Sequence, residues 1–398
     1  MATKPLDLEL SRPDELPFVS GRYDRVRLLV RVLGQPISSV DLPNHPRELR
    51  PGKLRRDLVS RFGAEIWAVL ASRAWTSRQN ESGPPEISVI VCTRNRSDNL
   101  KRCLASLVTQ EGASCEVIVV DNAPVDSQTR DVAESYGVRY VIEPRPGLDW
   151  ARNRGLAVAR YDLVAFTDDD ARPHPRWLAE LCAGFVADEV CAVTGFVAAA
   201  EIETTAQALF EDVYGGMGKG FGIEVYSRRR LPMHYRPHEY GVGCNMAFRK
   251  ATLDQLGGFD PALDTGTPTG GGGDLDAFQR IIEAGQAIVY RPDAVVRHTH
   301  RRTVVELRRQ LYDNGRGYCA VFCAAFARAR GLERVRVAWS FALWFWQWHL
   351  RRVGRSIVGR ERVPRRLVLI EFAGALVGPF CYVASRRRAR SLSREGEL

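Results

Sequence analysis

From residue 87 onward the chain alternates short apolar segments with segments of helical period, and this alternation restricts the fold more than any other sequence feature. The apolar segments have the length of buried strands, and the segments between them repeat apolar residues at helical spacing. Such alternation predicts an α/β fold, with a mostly parallel sheet and helices on both faces. The predicted strands are residues 87–91, 117–120, 138–142, 163–166 and 190–193, and the predicted helices begin at Ser97 or cover 151–159 and 177–186.

Three consecutive carboxylates, Asp168-Asp169-Asp170, follow the strand predicted over 163–166. Ligands of parallel sheets bind beyond the carboxyl ends of the strands, so the triplet stands where a divalent cation and a phosphate could be held. On an extended backbone Asp168 and Asp170 point the same way, and Asp169 points to the opposite side. The alternative is a solvated acidic turn, because closely spaced like charges repel unless a cation, a sugar or solvent relieves them.

The composition is that of an ordinary globular protein. A chain of 398 residues with 45% apolar content can build one large core and an accessory domain. The first residues contain no apolar stretch behind a basic start, so we expect no secretory signal and a cytoplasmic location. Nine cysteines are scattered without CxxC pairs, which favours free thiols over disulfides or a zinc site.

Residues 1–85 are expected to form a separate accessory region. Residues 25–33 alternate like a half-buried strand, residues 54–74 have a helical pattern, and Ser82-Gly83-Pro84-Pro85 is typical of a linker. No catalytic constellation is found in this region, and its role stays open.

The basic surplus of the chain belongs to its last hundred residues. Residues 301–398 contain 21 arginines and seven acidic residues, whereas the whole chain carries a net charge of +10. A basic tail can bind nucleic acid or an anionic membrane surface. Four tryptophans within 337–348 favour the membrane, because tryptophan is enriched at the level of the lipid headgroups.

The two apolar segments of this tail, 337–348 and 367–384, do not form a pattern of two membrane spans. The first is too short to cross a bilayer, and the flanks of both are basic, whereas two spans would place alternate flanks on opposite sides. We therefore expect 301–398 to be a helical basic tail, peripheral or monotopic at the inner face of the cell membrane, with no nucleic-acid partner. The alternative is two buried helices that cover the preceding domain, and only the second segment is long enough to span.

Several sequence strings, in order and spacing, resemble the motifs of glycosyltransferase family 2. The resemblance extends over about residues 86–300. The strings are ISVIVCTRNR at 87–96, SLVTQ at 106–110, VVDN at 119–122, GLDWARNRG at 147–155, FTDDD at 166–170, GCNMAFR at 243–249 and GGFD at 257–260.

The resemblance implies a GT-A fold over 86–300, a nucleotide-diphosphate sugar donor, a divalent cation (Mn²⁺ or Mg²⁺) and inversion at the anomeric carbon. It also implies that Thr93 and Asp121 face the nucleotide base, that Arg152 lies near the ribose or diphosphate, and that Asp168 contacts the ribose. Asn95, at the end of the first predicted strand, completes this set of candidate nucleotide-sugar-binding residues. Each has a plainer interpretation as a turn former, a helix cap or a surface charge.

For the chemistry itself, the resemblance assigns the general base to Asp274 and cation ligands to Asp170 and His298. The family has a Glu-Asp pair where this chain has Gly273-Asp274, so the base is kept and the preceding carboxylate is absent. A carboxylate within hydrogen-bond reach can take the proton of an attacking sugar hydroxyl, although Asp274 could also simply cap the following helix. His298 is favoured over His300 as ligand because an apolar strand-like segment leads into it.

Together with these residues, the resemblance implies a metal-dependent, inverting glycosyltransferase of the hexosyltransferase type. The expected acceptor is a hydroxyl of a saccharide or lipid-linked saccharide, as in polysaccharide biosynthesis. The alternative is a catalytically silent nucleotide-sugar binder or scaffold. A nucleotidyltransferase would need a glycine-rich basic loop after the first strand, and a phosphatase would need Asp-x-Asp-x-Thr; neither pattern is present at Cys92-Thr93-Arg94-Asn95 or after Asp170.

Overall fold

A computed structural model describes residues 2–12, 19–76, 84–228 and 235–395. The first region is a three-stranded sheet in the order β1-β2-β3, backed by two helices that pack on it through an apolar cluster. The single helix expected over 54–74 is two helices, which meet at Phe62. Ser82 and Gly83 of the expected linker lie outside the described residues. The elements are β1 Thr3–Glu9, β2 Arg25–Val32, β3 Gln35–Pro43, α1 Pro51–Arg61 and α2 Gly63–Thr76.

The central sheet has nine strands among the described residues, in the order β10-β12-β9-β11-β7-β4-β5-β6, with β8 paired to β12. Six strands run in one direction, and β8, β10 and β11 run opposite, so the sheet is mixed but mostly parallel, as expected. The strands are β4 Glu86–Thr93, β5 Ser114–Asn122, β6 Arg139–Glu143, β7 Leu163–Asp168, β8 Ala171–Pro173, β9 Val190–Ala199, β10 Glu224–Ser227, β11 Met246–Arg249 and β12 Ala287–His298.

Helices cover both faces of this sheet, because alternate strand residues point to opposite sides. In β4, Val89 and Val91 pack with helices α3, α4 and α6, whereas Ile90 packs with α5, α8 and α9. The α/β prediction is therefore confirmed. The helices are α3 Ser97–Leu107, α4 Gln128–Ser135, α5 Leu148–Val158, α6 Trp177–Cys182, α7 Thr205–Ala208, α8 Lys250–Gln255 and α9 Gly273–Glu283.

Several boundaries differ from the expectation; β5, for example, spans Ser114–Asn122 rather than 117–120, and α5 begins at Leu148 rather than at residue 151. Strand β9 continues to Ala199 and α6 ends at Cys182, both because apolar runs of this length do not distinguish strand from helix at their ends. Ser97 was expected to cap α3, but it is the first helical residue, and its hydroxyl donates a hydrogen bond to the Gln128 side chain, 3.1 Å away.

The C-terminal region consists of long helices that pack against the rest of the domain. Helices α10 and α13 lie so close that a Cβ at Gly374 would be 2.1 Å from the backbone oxygen of Tyr312, and one at Gly315 would be 2.1 Å from that of Glu371. Close packing of two helices of this kind needs glycine at the contact. The elements are α10 Val304–Arg328, α11 Leu332–Trp344, a π-helical turn Phe345–Leu350, α12 Arg351–Ile357 and α13 Arg365–Glu395.

One of the described helices, α13, is long and apolar enough to cross a membrane by length and composition over Arg365–Arg394, and 39% of its most apolar window is buried. Its buried face includes Glu371, whose carboxylate accepts hydrogen bonds from Tyr214, Trp348 and Arg352 at 2.6, 2.9 and 2.9 Å. A carboxylate held this way fastens α13 to the protein along one side.

Candidate active site

A cavity of about 500 Å³ opens where β7 and β12 end. It lies at the carboxyl ends of the parallel strands, as the position of the acidic triplet predicts. Four of the candidate residues line it together, which brings sequence positions from 152 to 298 into one site. They are Arg152, Asp168, Asp274 and His298.

The three aspartates of the triplet point in different directions. Asp168 faces the cavity, whereas Asp169 turns away and accepts a hydrogen bond from the Thr93 hydroxyl at 2.7 Å. Burial raises the pKa of Asp169 to about 6 and also raises that of Asp168. Burial acts in the same direction on Asp170, but His298 and nearby arginines outweigh it and lower the pKa of Asp170 to about 2.

Asp170 and His298 are placed as two ligands of one cation would be. Oδ1 of Asp170 lies 3.0 Å from Nε2 of His298, and this buried oxygen makes no well-formed hydrogen bond with the described residues. Two neighbouring ligands of an octahedral cation, each about 2.1 Å from it, stand about 3.0 Å apart. A carboxylate oxygen of Asp168 also falls within 4.8 Å of the His298 nitrogen. These oxygen and imidazole donors fit Mn²⁺ or Mg²⁺.

Cys244 lies in the same group of donor atoms as Asp168 and His298. Burial raises the pKa of its thiol well above the usual value, and the aspartates nearby act in the same direction. A thiol that stays protonated is a poor ligand, and a soft sulfur does not suit a hard cation. Cys244 therefore belongs to the wall of the site rather than to its donor set.

Asp274 lies in the first turn of α9 and faces the cavity. Its Oδ2 accepts a hydrogen bond from the backbone N–H of Gly243 at 2.8 Å, which fixes the carboxylate at the rim of the site. A Cβ at Gly243 would lie 2.9 Å from this oxygen and 2.7 Å from the guanidinium of Arg152, so the loop before β11 passes close to both charges. This arrangement leaves Asp274 able to meet a hydroxyl in the cavity.

Asp149 occupies the space that a side chain at residue 273 would need. A Cβ built on Gly273 would lie only 1.8 Å from Oδ2 of Asp149. The other oxygen accepts from Arg152 at 3.0 Å, and burial, aided by Asp264, raises the pKa of Asp149 well above its ordinary value. Asp149 therefore fills the space that a carboxylate side chain at position 273 would need in this chain. The GLDWARNRG string gives no indication of this role, which depends on the packing of α5 against α9.

Besides Asp170, which contacts His298, three candidate residues are not among the described residues that line this cavity. The Thr93 hydroxyl is engaged with Asp169, and Asn95 adopts a left-handed φ of 54° after β4, which matches the turn-forming interpretation. Asp121 is fully buried and accepts a hydrogen bond from the Tyr140 hydroxyl at 2.8 Å; burial raises its pKa. Their assignment to the nucleotide stays a prediction.

Residues of the C-terminal helices complete the wall of the cavity, which the sequence did not predict. The ring of Tyr318 packs at a tilt against that of Trp344, with centroids 4.6 Å apart, and the Tyr318 hydroxyl lies within hydrogen-bond distance, 2.5 Å, of Nδ1 of His238. Trp348 and Glu371 lie farther along the same wall. The sequence favours a membrane contact for these tryptophans over buried helices that cover the preceding domain, since nothing in their spacing distinguishes a cavity wall from an outer surface.

Residues 88–257 match the family model described as glycosyl transferase family 2. The chain is 30% identical over 260 residues to the pre-mycofactocin glycosyltransferase of Mycobacterium tuberculosis, a match that covers 63% of this chain and 50% of that protein. This chain therefore spans about half the length of that relative. It is 25% identical over 232 residues to the glucosyl-dolichyl phosphate glucuronosyltransferase of Haloferax volcanii, covering 54% of this chain and 69% of the other.

Among solved structures, a mannosyltransferase from Pyrobaculum calidifontis in complex with GDP-Man and Mn²⁺ superimposes with a TM-score of 0.50. The match covers 81% of this chain and 96% of that one at 17% sequence identity. At this identity the likeness shows the fold alone, and it agrees with the GT-A architecture expected for the central sheet.

Proposed function

Because the chain belongs to glycosyl transferase family 2 through residues 88–257, we propose that it is a metal-dependent, inverting glycosyltransferase. It would move a sugar from a nucleotide-diphosphate sugar to an acceptor hydroxyl. The observation that carries this proposal is that Asp274, Arg152 and the cation donors Asp168 and His298 line one cavity. A nucleotide-binding protein without activity would have no use for Asp274 beside such a set.

Each charged group has a defined task in this reaction. Asp274 takes the proton of the acceptor hydroxyl as that oxygen attacks the anomeric carbon from the face opposite the diphosphate, which inverts the configuration. Arg152 and Lys219, both at the cavity wall, place positive charge where the diphosphate leaves. Asp168, Asp170 and His298 would hold the cation, which when bound offsets the charge that develops on the leaving diphosphate.

Binding and turnover are tested separately. In a thermal-shift panel of UDP-, dTDP- and GDP-sugars with and without Mn²⁺, one nucleotide class should raise the unfolding temperature, and more so with the cation, because ligands stabilise the state that binds them. With that sugar nucleotide, Asp274→Asn should keep the shift and lose about 10²–10⁴-fold in release of nucleoside diphosphate. The exposed Asp254→Asn on α8 is the control. Wild-type turnover by Asp274→Asn would show that Asp274 is not the general base.

We further propose that the enzyme works at the inner face of the cell membrane on a lipid-linked saccharide. Two rows of exposed apolar side chains run along α11 with its π-helical turn and along α13, each at helical spacing. Arginines 366 and 386–388 flank the second row. A helix with one face packed on protein and an apolar face outward suits the membrane interface better than a span. The rows are Trp339, Leu343, Trp346 and Leu350, and Leu369, Leu376, Phe380 and Val383.

The position of these helices supports this acceptor class. Trp344 of α11 and Trp348 of the π-helical turn line the cavity together with Tyr318 of α10. An acceptor carried by a lipid would therefore reach Asp274 past an aromatic wall on which sugar rings can stack. The Haloferax relative is named for transfer to a glucosyl-dolichyl phosphate, which is such an acceptor.

Vesicle sedimentation tests the membrane proposal. The wild-type protein should sediment with vesicles of phosphatidylglycerol and phosphatidylcholine, and the double variant Trp346→Gln/Phe380→Gln should sediment less. Both side chains are exposed, 59% and 77%, so the fold should tolerate the change. Trp67→Gln, on α2 and 72% exposed, is the matched control and should behave as wild type. Equal sedimentation of the double variant and the wild type would refute this surface.

A further inference from the structure

A chain of polar side chains connects the N-terminal region to the proposed cation site. It begins at Arg27 in β2, continues through Glu211 and His300, and ends at His298. The separations are 3.4 Å from Arg27 Nη1 to Glu211 Oε2, 2.7 Å from Glu211 Oε1 to His300 Nε2, and 3.3 Å between the Nδ1 atoms of the two histidines. His300 is 4% exposed and His298 8%, so both rings are removed from solvent.

With His300 neutral, the hydrogen bonds of this chain fix where the protons lie. A carboxylate only accepts, so Nε2 of His300 must carry a hydrogen and donate it to Glu211. A neutral imidazole with its hydrogen on Nε2 has a bare Nδ1, which can only accept. The facing Nδ1 of His298 must then be the donor. The remaining nitrogen of His298, Nε2, is thereby the one left to bind a cation beside Asp170.

We propose that Arg27, Glu211 and His300 form a positioning relay that holds His298 in the orientation and tautomer required of a metal ligand. This inference rests on the proposed function, because it presupposes a cation at Asp170 and His298. A ligating histidine commonly donates its other N–H to a fixed acceptor, and loss of that acceptor weakens metal binding about 10–100-fold. Here the acceptor is a second imidazole, and Glu211 fixes that one in turn.

The backbone around Glu211 is shaped for this contact. Glu211 belongs to a π-helical turn, Leu209–Tyr214, a conformation that is rare and frequent at functional sites. Gly216 follows with a φ of +61°, and a Cβ there would lie 2.7 Å from Oε1 of Glu211. Glycine at 216 therefore lets the carboxylate reach His300. The ring of Phe210 packs on His300 with centroids 4.9 Å apart and restrains it from the side.

The far end of the relay is equally fixed. The guanidinium of Arg27 donates to Asp41 and Asp212, each at 2.6 Å, before it reaches Glu211. Arg25, two residues away on the same strand, pairs with the same two aspartates at 3.5 and 3.2 Å, whereas the ion pair with Glu211 comes from Arg27. Through Arg27, the sheet β1-β2-β3, to which the sequence assigns no role, supports the cation site from outside the cavity.

Cation affinity, rather than activity, tests the relay. Free Mn²⁺ is titrated by electron paramagnetic resonance in the presence of UDP, with thermal unfolding in the absence of metal as a check on folding. His300→Phe keeps the ring against Phe210 but removes the accepting nitrogen, and should weaken Mn²⁺ binding about 10–100-fold with metal-free unfolding unchanged. His349→Phe, equally buried in the C-terminal helices, is the control and should bind as wild type.

Two further variants keep the proposal testable if His300→Phe does not fold. Arg27→Met should weaken Mn²⁺ binding, although less than His300→Phe, while Arg25→Met should not. Glu211→Gln retains an accepting oxygen and should bind better than Glu211→Leu. The relay is overturned if His300→Phe or Arg27→Met binds Mn²⁺ with wild-type affinity while His298→Ala binds it more weakly. Wild-type affinity in His298→Ala itself would overturn the cation site proposed above, and the relay with it.

Discussion

The two regions that flank the central sheet are attached in different ways. The N-terminal region meets it through charged pairs, such as Arg297 with Asp7 at 2.9 Å, and through one small apolar contact at Leu29. The C-terminal helices meet it through glycines at backbone contact and through an aromatic cluster around Trp344 and Phe322. The first region therefore acts on the site at a distance, through a relay, whereas the second forms part of its wall.

This difference predicts which substitutions lower the free energy of unfolding most. Exposed charged pairs contribute little to that free energy, because water already solvates the separate charges. Backbone contacts between helices tolerate no added atom, because neither partner can move aside without separating the helices. We expect the C-terminal attachment to be the more sensitive of the two, and four substitutions of decreasing effect measure the contrast.

Gly374→Ala should have the largest effect. Its Cβ would lie 2.1 Å from the Tyr312 carbonyl oxygen, so α13 would have to leave α10, at a cost on the order of 4 kcal/mol in the free energy of unfolding. Gly354→Ala in α12 is the control, because a Cβ there meets nothing within 4 Å. Urea unfolding measures both. A Gly374→Ala protein as stable as the control would mean that α13 is not packed as described.

Glu371→Ala should rank second. The carboxylate is 4% exposed and accepts from Arg352, Tyr214 and Trp348, so its removal leaves a buried guanidinium without its partner, at a cost of about 3 kcal/mol. Glu333→Ala, which removes a half-buried carboxylate on α11 that pairs with Arg336, should change the urea midpoint little. Similar losses for the two variants would contradict a buried role for Glu371.

Leu29→Ala should rank third. Leu29 packs on Phe196, Tyr290 and Val295, and truncation should cost about 2 kcal/mol through lost burial and the cavity left behind. Val59→Ala, 48% exposed on α1, is the control. If Leu29→Ala destabilised the protein more than Glu371→Ala, the N-terminal region would be the more tightly attached of the two, and the comparison above would be reversed.

Arg22→Ala should have the smallest effect. The guanidinium lies 3.2 Å from Glu203, but its side chain is 67% exposed. The urea midpoint should match that of the wild type in 0.15 M salt, since surface pairs of this kind are screened. A clear loss would show that charged pairs hold the N-terminal region more firmly than their exposure indicates.

The individual strands and the acidic residues at the end of β7 could be predicted because the pattern of each is local in the sequence. The period of apolar residues identifies strands and helices before any packing is known, and the carboxyl ends of parallel strands necessarily share one edge. Asp168, Asp170 and His298 could be placed near one another on that basis. The hydrogen bond from the Thr93 hydroxyl to Asp169 could not be predicted, because the two residues lie 76 positions apart in the sequence. The assignment of Thr93 to the nucleotide stays a prediction.

The sequence by itself determined the alternating sheet, the match of residues 88–257 to the model of glycosyl transferase family 2 and the carboxylates on which the proposed chemistry depends. Only the tertiary structure decided that Asp149 fills the space beside Gly273, that His300 faces His298, and that the C-terminal helices wall the cavity. The physical reason is distance along the chain. Periodicity fixes the direction of a side chain relative to its own element, whereas a hydrogen bond or a collision between distant elements depends on how those elements pack.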